Sequence, residues 1–508
     1  MPTPATRPPA RSPASEGCGS PPRGSATEPG AEPPGGEGAS YAAGLAWLGG
    51  GTGARAGVVL KAAGDGTLAA VTTAAAHRGA RRLSGLVLPG FVNGHSHAFH
   101  RVLRGAGEGA RGNFWTWRDL MYGIAARLDP DSYRELATAV YAEMLLAGYT
   151  AVGEFHYLHH QPGGKPYGDP NEMGLALLDA ADATGIRVCL IDACYLQAGP
   201  GGTPLGGAQL RFGDGSGEAW AARVTRLCES GRFYDADPDA DEPGSVGLPR
   251  LGAAIHSVRA VPPAAMRSVV ALASSRVLPL HVHLSEQRAE NEVCLGATGL
   301  TPTDLLASVG ALSKRTTAIH ATHLSAGDVS RLGLSGATIC ACPTTERELG
   351  DGVGPFAELL EAGSSLSIGS DSHAVVDPFE ESRSVETNQR LVREARGLIG
   401  PLDLLDAGSA GGARSLLLPA SGLSPGGLCD LVEISTSSPR LAGADPSSLS
   451  PEELAARVLY GASAADVSTV VVGGRLVVEG GEHVALGPPD AVAERLSASI
   501  TSLLDGAP

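Results

Sequence analysis

The chain has little that would tie it to an oxidising compartment, a membrane or a nucleic acid. Its eight cysteines lie scattered at 18, 189, 194, 228, 294, 340, 342 and 429, and none forms a Cys-x-x-Cys pair. That spacing suggests neither a disulfide framework nor a zinc knuckle, and reduced cytoplasmic thiols are the simplest account. No apolar run approaches the ~20 residues of a membrane span. Positive charge is in deficit: 38 Lys and Arg stand against 54 Asp and Glu, a net charge of −16. This argues against non-specific binding to nucleic acid or to an anionic membrane. It leaves a small acidic substrate open, because local arginines can overrule the global field. Residues 1–40 have almost no large apolar side chains and are rich in Pro, Gly, Ser and Glu. They read as a disordered leader. It has no apolar core for a secretory signal, and Glu16, Glu28, Glu32 and Glu37 make it too acidic for a transit peptide.

What is there is a long chain of 508 residues, 43% of them hydrophobic. It can bury a large core and divide into more than one structural unit. Both ends look β-rich. Ala56-Gly57-Val58-Val59-Leu60 is strand-like near the start, and Leu428 to Ile434 near the end. Val467–Val472 and Arg475–Val478 flank Gly473-Gly474 and read as a hairpin. Residues 41–85 and 415–490 are therefore expected to pair into one small β-domain, with 491–508 as a terminal helix or tail. Between them, over 86–414, apolar strand-like runs alternate with Ala/Leu-rich helical stretches. The expected strands are 86–97, 150–157, 187–195, 251–258, 277–284, 316–323, 337–342 and 364–371. Eight strands alternating with helices predict a (β/α)8 TIM barrel. A doubly wound sheet fits less well, since no Gly-x-Gly-x-x-Gly follows the first strand.

Barrel active sites sit at the C-terminal ends of the strands, and most of the 14 histidines fall there. The first strand ends in Asn93-Gly94-His95-Ser96-His97. Positions i and i+2 of a strand share a face, so His95 and His97 can aim two imidazoles at one metal ion. Later strand ends carry Glu154-Phe155-His156-Tyr157-Leu158-His159-His160, His256-Ser257-Val258-Arg259, His281-Val282-His283-Leu284-Ser285-Glu286, His320-Ala321-Thr322-His323, Cys342-Pro343-Thr344-Thr345-Glu346 and Ser370-Asp371-Ser372-His373. One ion cannot use them all, because catalytic zinc takes a few ligands and keeps a position for water.

This set resembles the amidohydrolase superfamily in its mononuclear deaminase branch. The marks are Pro-Gly-x-x-Asn-x-His-x-His, the strand 5 His-x-x-Glu, a strand 6 histidine and the strand 8 Ser-Asp. The resemblance implies His95, His97, His283 and Asp371 as ligands, with Glu286, His320 and Asp371 as the catalytic groups. It also implies that both chain ends build a small β-sandwich beside the barrel. One Zn2+ is the implied cofactor, with Fe2+ and Mn2+ left open by the residues. Phe114-Trp115-Thr116-Trp117-Arg118, together with the strand 2, 4 and 7 motifs, resembles the formimidoylglutamate deiminases of histidine degradation. That likeness covers roughly 85–400. It implies hydrolytic deamination of N-formimidoyl-L-glutamate to N-formyl-L-glutamate and ammonia, and contacts from Tyr157 and His256 to the substrate. One departure is His100, where the family usually carries Gln.

The residue chemistry agrees. A metal lowers the pKa of a water to ~7. Asp371 can take its proton, Glu286 can protonate the imino nitrogen and the departing amine, and His320 can stabilise charge on the attacking oxygen. A dicarboxylate needs cationic partners when water is excluded. Arg259, at a strand end, and Arg118, in a loop over the site, are the candidates. One of Trp115 and Trp117 is expected to line the pocket. His281, His323 and His373 are expected behind the ligands, and Glu346, Glu380 and Glu381 are expected to be solvated or to cap helices. Residues 234–242 read as an exposed acidic insertion. The alternatives are another deaminase or hydrolase of the superfamily, acting on a guanine-type purine or another N-formimidoyl amino acid, and a barrel kept as a non-catalytic scaffold. Superfamily members commonly dimerise, so a homodimer is the expected assembly.

Overall fold

The computed structural model describes residues 38–73, 79–106, 114–199, 201–233, 249–419 and 421–505. The leader up to residue 37, the acidic insertion at 234–242 and the side chain of Trp115 lie outside them. The sixteen strands described are β1 Ser40–Trp47, β2 Ala54–Ala62, β3 Leu68–Thr73, β4 Arg81–Pro89, β5 Phe91–Ser96, β6 Tyr149–His156, β7 Arg187–Cys194, β8 Arg250–Ser257, β9 Leu280–Leu284, β10 Thr316–His320, β11 Thr338–Ala341, β12 Ser365–Ile368, β13 Leu431–Ile434, β14 Val467–Val472, β15 Arg475–Glu479 and β16 Glu482–His483.

Strands β5 to β12 pair in chain order, each parallel to the next. Helices alternate with them, as a parallel sheet requires of its crossovers. The helix starts are chemically marked. Asp129 and Ser132 form a capping box before Pro130–Leu146, Ser325 and Asp328 another before Ala326–Ser335, and Asp377 caps Pro378–Arg393. The barrel closes between β12 and β5 through a single parallel bridge, Ser96 to Asp371. Asp371 N–H donates to the His95 carbonyl at 3.0 Å, and His97 N–H donates to the Asp371 carbonyl at 3.2 Å. The closing seam is thus made by the backbone of the residues that the sequence marks as metal ligands.

The chain ends build a second sheet, in the order β16-β15-β14-β13-β4-β1-β2-β3. Alternate residues of its strands face two cores. Val87, Leu431, Val471 and Leu476 pack with Tyr41, Leu60 and Leu83, whereas Leu86, Leu88, Val432, Ile434 and Val470 join the main core. Gly473 and Gly474, with φ of 56° and 77°, make the turn of the β14–β15 hairpin.

The expected first barrel strand, 86–97, is two strands. Its apolar start belongs to β4, which pairs with β1 and β13 in the second sheet. Gly90 divides the run: a Cβ there would meet the Thr150 hydroxyl at 2.3 Å. The close approach of β6 therefore requires glycine at the point where the chain passes from one sheet to the other. After the last strand, Pro489–Asp505 is a helix.

Candidate metal centre

His95, His97, His283 and Asp371 are all buried, and one ligand atom from each lies within 4.8 Å of all the others. The sequence places the His95/His97 pair, His283 and Asp371 far apart; the seam between β5 and β12, and the end of β9, bring them together. His97 Nδ1 lies 2.9 Å from the Phe155 carbonyl, and His283 Nδ1 lies 2.8 Å from the His256 carbonyl. A carbonyl only accepts, so each ring keeps its proton on Nδ1 and turns the Nε2 lone pair inward. Asp371 Oδ1 is 3.3 Å from His95 Nε2 and 3.5 Å from His97 Nε2, and the Nε2 atoms of His95 and His283 are 3.2 Å apart. Burial pushes His97 down to about 3 and lowers His95 and His283. Burial also works against a charge on Asp371, but His95, His320 and His97 overrule it and hold the carboxyl low. Neutral acceptors facing acceptors around one carboxylate is an arrangement that a cation satisfies. Three nitrogens and a carboxylate oxygen are donors of the kind that a divalent ion such as zinc takes.

The neighbouring groups are equally closed in. His320 Nε2 stands 3.7 Å from Asp371 Oδ2 and 3.9 Å from Glu286 Oε1. Its Nδ1 faces Glu346 Oε1 at 3.5 Å. Burial would lower His320, yet Glu286, Glu346 and Asp371 together raise it to about 10. Arg259 reaches Glu286 at 3.2 Å and Glu290 at 3.3 Å. Burial pushes Glu290 up to about 7 in spite of that arginine.

Above the ligands lies a cavity of about 260 Å³. It is lined by His97, His283, Asp371, Glu286 and His320 at its floor, and by His100, Tyr157, His256, Arg259, Arg118 and Trp117 on its walls. His95 lies beneath it. His100 Nε2 is 2.9 Å from the Tyr157 hydroxyl, and the His100 ring meets Trp117 edge-on at 5.0 Å. Arg118 lies over the Tyr122 ring at 5.5 Å.

A model of the amidohydrolase family matches residues 86–477. The chain belongs to the amidohydrolase family. Formimidoylglutamate deiminase of Pseudomonas aeruginosa is 39% identical over 430 residues, 82% of this chain and 90% of that relative. 8-Oxoguanine deaminase of the same species is 31% identical over 395 residues, 77% and 81% of the two chains. A solved amidohydrolase from Brucella melitensis superposes with a TM-score of 0.81 at 31% identity, covering 92% of this chain and all of that one. An adenosine deaminase from Xanthomonas campestris with bound zinc shares the fold, at a TM-score of 0.75 and 21% identity over 92% and 100% of the two chains.

The remaining strand-end residues of this amidohydrolase sort themselves by partner. His281 points away from the ligands and meets the Ser415 carbonyl at 2.8 Å. His159 meets the Ala193 carbonyl at 2.9 Å, and His160 meets Asp214 at 3.2 Å. His373 meets the Ser96 hydroxyl at 3.0 Å. His323 lines a separate surface cavity with Arg288 and Asn291. Glu346 departs from the expectation of a solvated residue. It is buried, accepts from Cys342 N–H at 3.0 Å and faces His320. Glu381 is buried as well and bonds Thr344. Sequence reasoning also missed Glu290, Tyr195 and Gln197 in the cavity wall. A further signal lies in the backbone. Ser285, His320, Ala321 and Asp371 all have positive φ without being glycine, at 50°, 66°, 51° and 41°. Such conformations cost ~1–3 kcal/mol each and gather at functional sites.

Proposed function

We propose that this amidohydrolase acts as a formimidoylglutamate deiminase in the cytoplasm, in histidine degradation. It hydrolyses the C=N bond of N-formimidoyl-L-glutamate, giving N-formyl-L-glutamate and ammonia. The observation that carries this reading is one cavity that joins a buried His/His/His/Asp group to two arginines, Arg259 and Arg118. A purine needs no such pair of cations. The identity to the Pseudomonas deiminase, higher than to the purine-type relative, supports the same choice. The seven described cysteines are all buried and free, which supports a reducing compartment.

In this reading His95, His97, His283 and Asp371 hold one Zn2+. When bound, the metal makes a water acidic enough to ionise near neutral pH. Asp371 Oδ2 and His320 Nε2 lie 3.7 Å apart and would hold the attacking oxygen between them. Asp371 takes its proton, and His320, steadied by Glu346, hydrogen-bonds the oxygen as charge grows on it. Glu286 would give a proton to the imino nitrogen, recover the one that Asp371 took and pass it to the amine, which leaves as ammonia; the hydroxyl proton released as C=O forms would then recharge Glu286. The atoms balance: water contributes the oxygen of the new C=O, and its hydrogens leave on nitrogen. Arg259 takes one substrate carboxylate as a fork, Arg118 the other. Tyr157, braced by His100, and His256 line the path between them.

The test is ammonia release from N-formimidoyl-L-glutamate, with 8-oxoguanine in parallel and metal content measured. Turnover of the first alone is expected. Turnover of the purine alone, at equal metal content, refutes the substrate.

A further inference from the structure

The segment after β7 carries a cation with no carboxylate in direct contact among the described residues. Arg211 is fully buried, and the acid that acts on it, Asp129, does so through space. Its guanidinium donates instead to backbone. The acceptors are the Ala125 carbonyl, the Leu128 carbonyl at 2.6 Å and the His160 carbonyl at 2.7 Å, with the Tyr167 hydroxyl at 3.3 Å. In return, the Arg211 carbonyl accepts from the N–H groups of His159 and His160 at 3.0 and 2.9 Å. One residue thus fastens three segments together: the end of the helix Phe114–Ala125, the turn after β6, and its own loop.

Burying an unpaired cation is costly. The terminal carbonyls of a helix, with their partial negative charge, make it tolerable. A neutral amide makes a lighter tie along the same helix: Gln209 joins the helix residue Tyr122 to Tyr195 at 3.0 and 3.1 Å, side chain to side chain. What the fastened helix carries accounts for the stronger device. Trp117, Arg118 and Tyr122 line the cavity from it. On the other side, Phe212, next to Arg211, packs edge-on against Tyr157 at 5.0 Å.

We propose that Arg211 is a positioning residue that sets where Arg118 meets the substrate. It does so by fixing the end of the wall helix to the turn that follows Tyr157. The inference rests on the reading of Arg118 as a substrate anchor. Arg211 does not line the cavity. The metal group, Glu286, His320 and Arg259 stand on or just beyond barrel strands that Arg211 does not touch. Its loss therefore acts on substrate binding and spares turnover.

The test compares full-length, metal-loaded wild type, Arg211→Met, Arg118→Ala and the double variant. It measures kcat and KM for N-formimidoyl-L-glutamate and peptide-level hydrogen exchange. A misplacement of ~1 Å costs up to ~100-fold. The expectation for Arg211→Met is a KM raised about 10–100-fold, kcat within about threefold of wild type, unchanged metal content, and faster exchange confined to residues 114–128 and 157–161. In the Arg118→Ala background, Arg211→Met should add less than about threefold. A fall in kcat at constant KM, independent effects of the two substitutions, or exchange that rises throughout the barrel would each overturn the proposal. If Arg211→Met does not fold, Arg211→Gln, which keeps donors without charge, carries the same comparison. If wild type is inert on N-formimidoyl-L-glutamate, the substrate reading falls, and the exchange measurement still decides: unchanged exchange over 114–128 overturns the role of Arg211.

Discussion

Replacing Arg259 by Met tests the substrate assignment most directly. The side chain is partly buried in the cavity wall and already engages Glu286 at 3.2 Å and Glu290 at 3.3 Å. Charge-assisted hydrogen bonds contribute ~1.5–3 kcal/mol each, so a two-bond fork to a carboxylate is worth ~3–6 kcal/mol. An incoming carboxylate meets an arginine that is already partly paired, so the net loss is smaller, ~2–3 kcal/mol. At ~1.4 kcal/mol per factor of ten, kcat/KM should fall about 30–150-fold. The protein should remain folded. Removing one partner of a buried pair costs ~3–5 kcal/mol when it strands a bare charge. Glu290, however, sits at about 7 even beside the arginine. It becomes a neutral acid instead of a stranded anion, which limits the loss. The assay is steady-state ammonia release from N-formimidoyl-L-glutamate and from N-formimidoyl-L-alanine, which lacks the distal carboxylate. If Arg259 takes the distal carboxylate, the preference for the glutamate compound should collapse in the variant, chiefly through KM; if it takes the α-carboxylate, both compounds should lose alike. A change of less than about threefold on both compounds would refute the assignment of a carboxylate to Arg259.

Three further outcomes follow from the same geometry. Glu286→Gln should lose about 10²–10⁴-fold in kcat at unchanged metal content, since a positioned proton donor contributes that much; ammonia release with metal analysis checks it. Zn2+ at ~100 times its Kd should stabilise the chelator-treated protein by ~2.7 kcal/mol, read as a thermal shift, and His283→Asn should abolish most of it. Stability should fall in acid through a second buried cluster. Arg223 grips Asp192 and Asp214 at 2.8 Å each, and although burial opposes their charge, Arg223 with His159 and His160 holds both carboxyls below the usual range. These acids stay charged in the fold at a pH where the unfolded chain protonates them, so their contribution is present above the ordinary carboxylate pKa and drains away below it. Arg223→Met should lower stability by ~3–5 kcal/mol and flatten that acid limb, measured by denaturant unfolding between pH 3 and 7.

Why the candidate ligand set was legible, and its surroundings were not, comes down to periodicity. His95 and His97 announce themselves because a strand has a period of two, and the histidines at later strand ends share one rim because a barrel brings those ends together. Arg259 could be read the same way. Glu346 could not. It lies four residues past Cys342, at a helix start, where an exposed capping carboxylate is the ordinary reading. Only the tertiary fold shows that this helix start is buried against His320. Glu290 is hidden for a similar reason: it sits in the first turn of the helix Arg288–Thr298, a common place for an exposed acid, and only packing turns it toward Arg259.

The break at Gly90 has the same origin but a larger consequence. An unbroken apolar run from Leu86 reads as one strand, because nothing local distinguishes a strand end from a change of sheet. The Thr150 side chain, nearly sixty residues away, is what excludes a Cβ at that point. The division matters for chemistry. It leaves β5 only six residues long, with His95 at its last turn of pleat and His97 just beyond. The barrel then has to close through Asp371, whose backbone exchanges hydrogen bonds with His95 and His97 at positive φ. The same short bridge that joins the last strand to the first therefore fixes three of the four candidate ligands relative to one another. Strain at Asp371 is held by barrel closure, and the backbone bonds of that closure set where its carboxylate stands against His95 and His97.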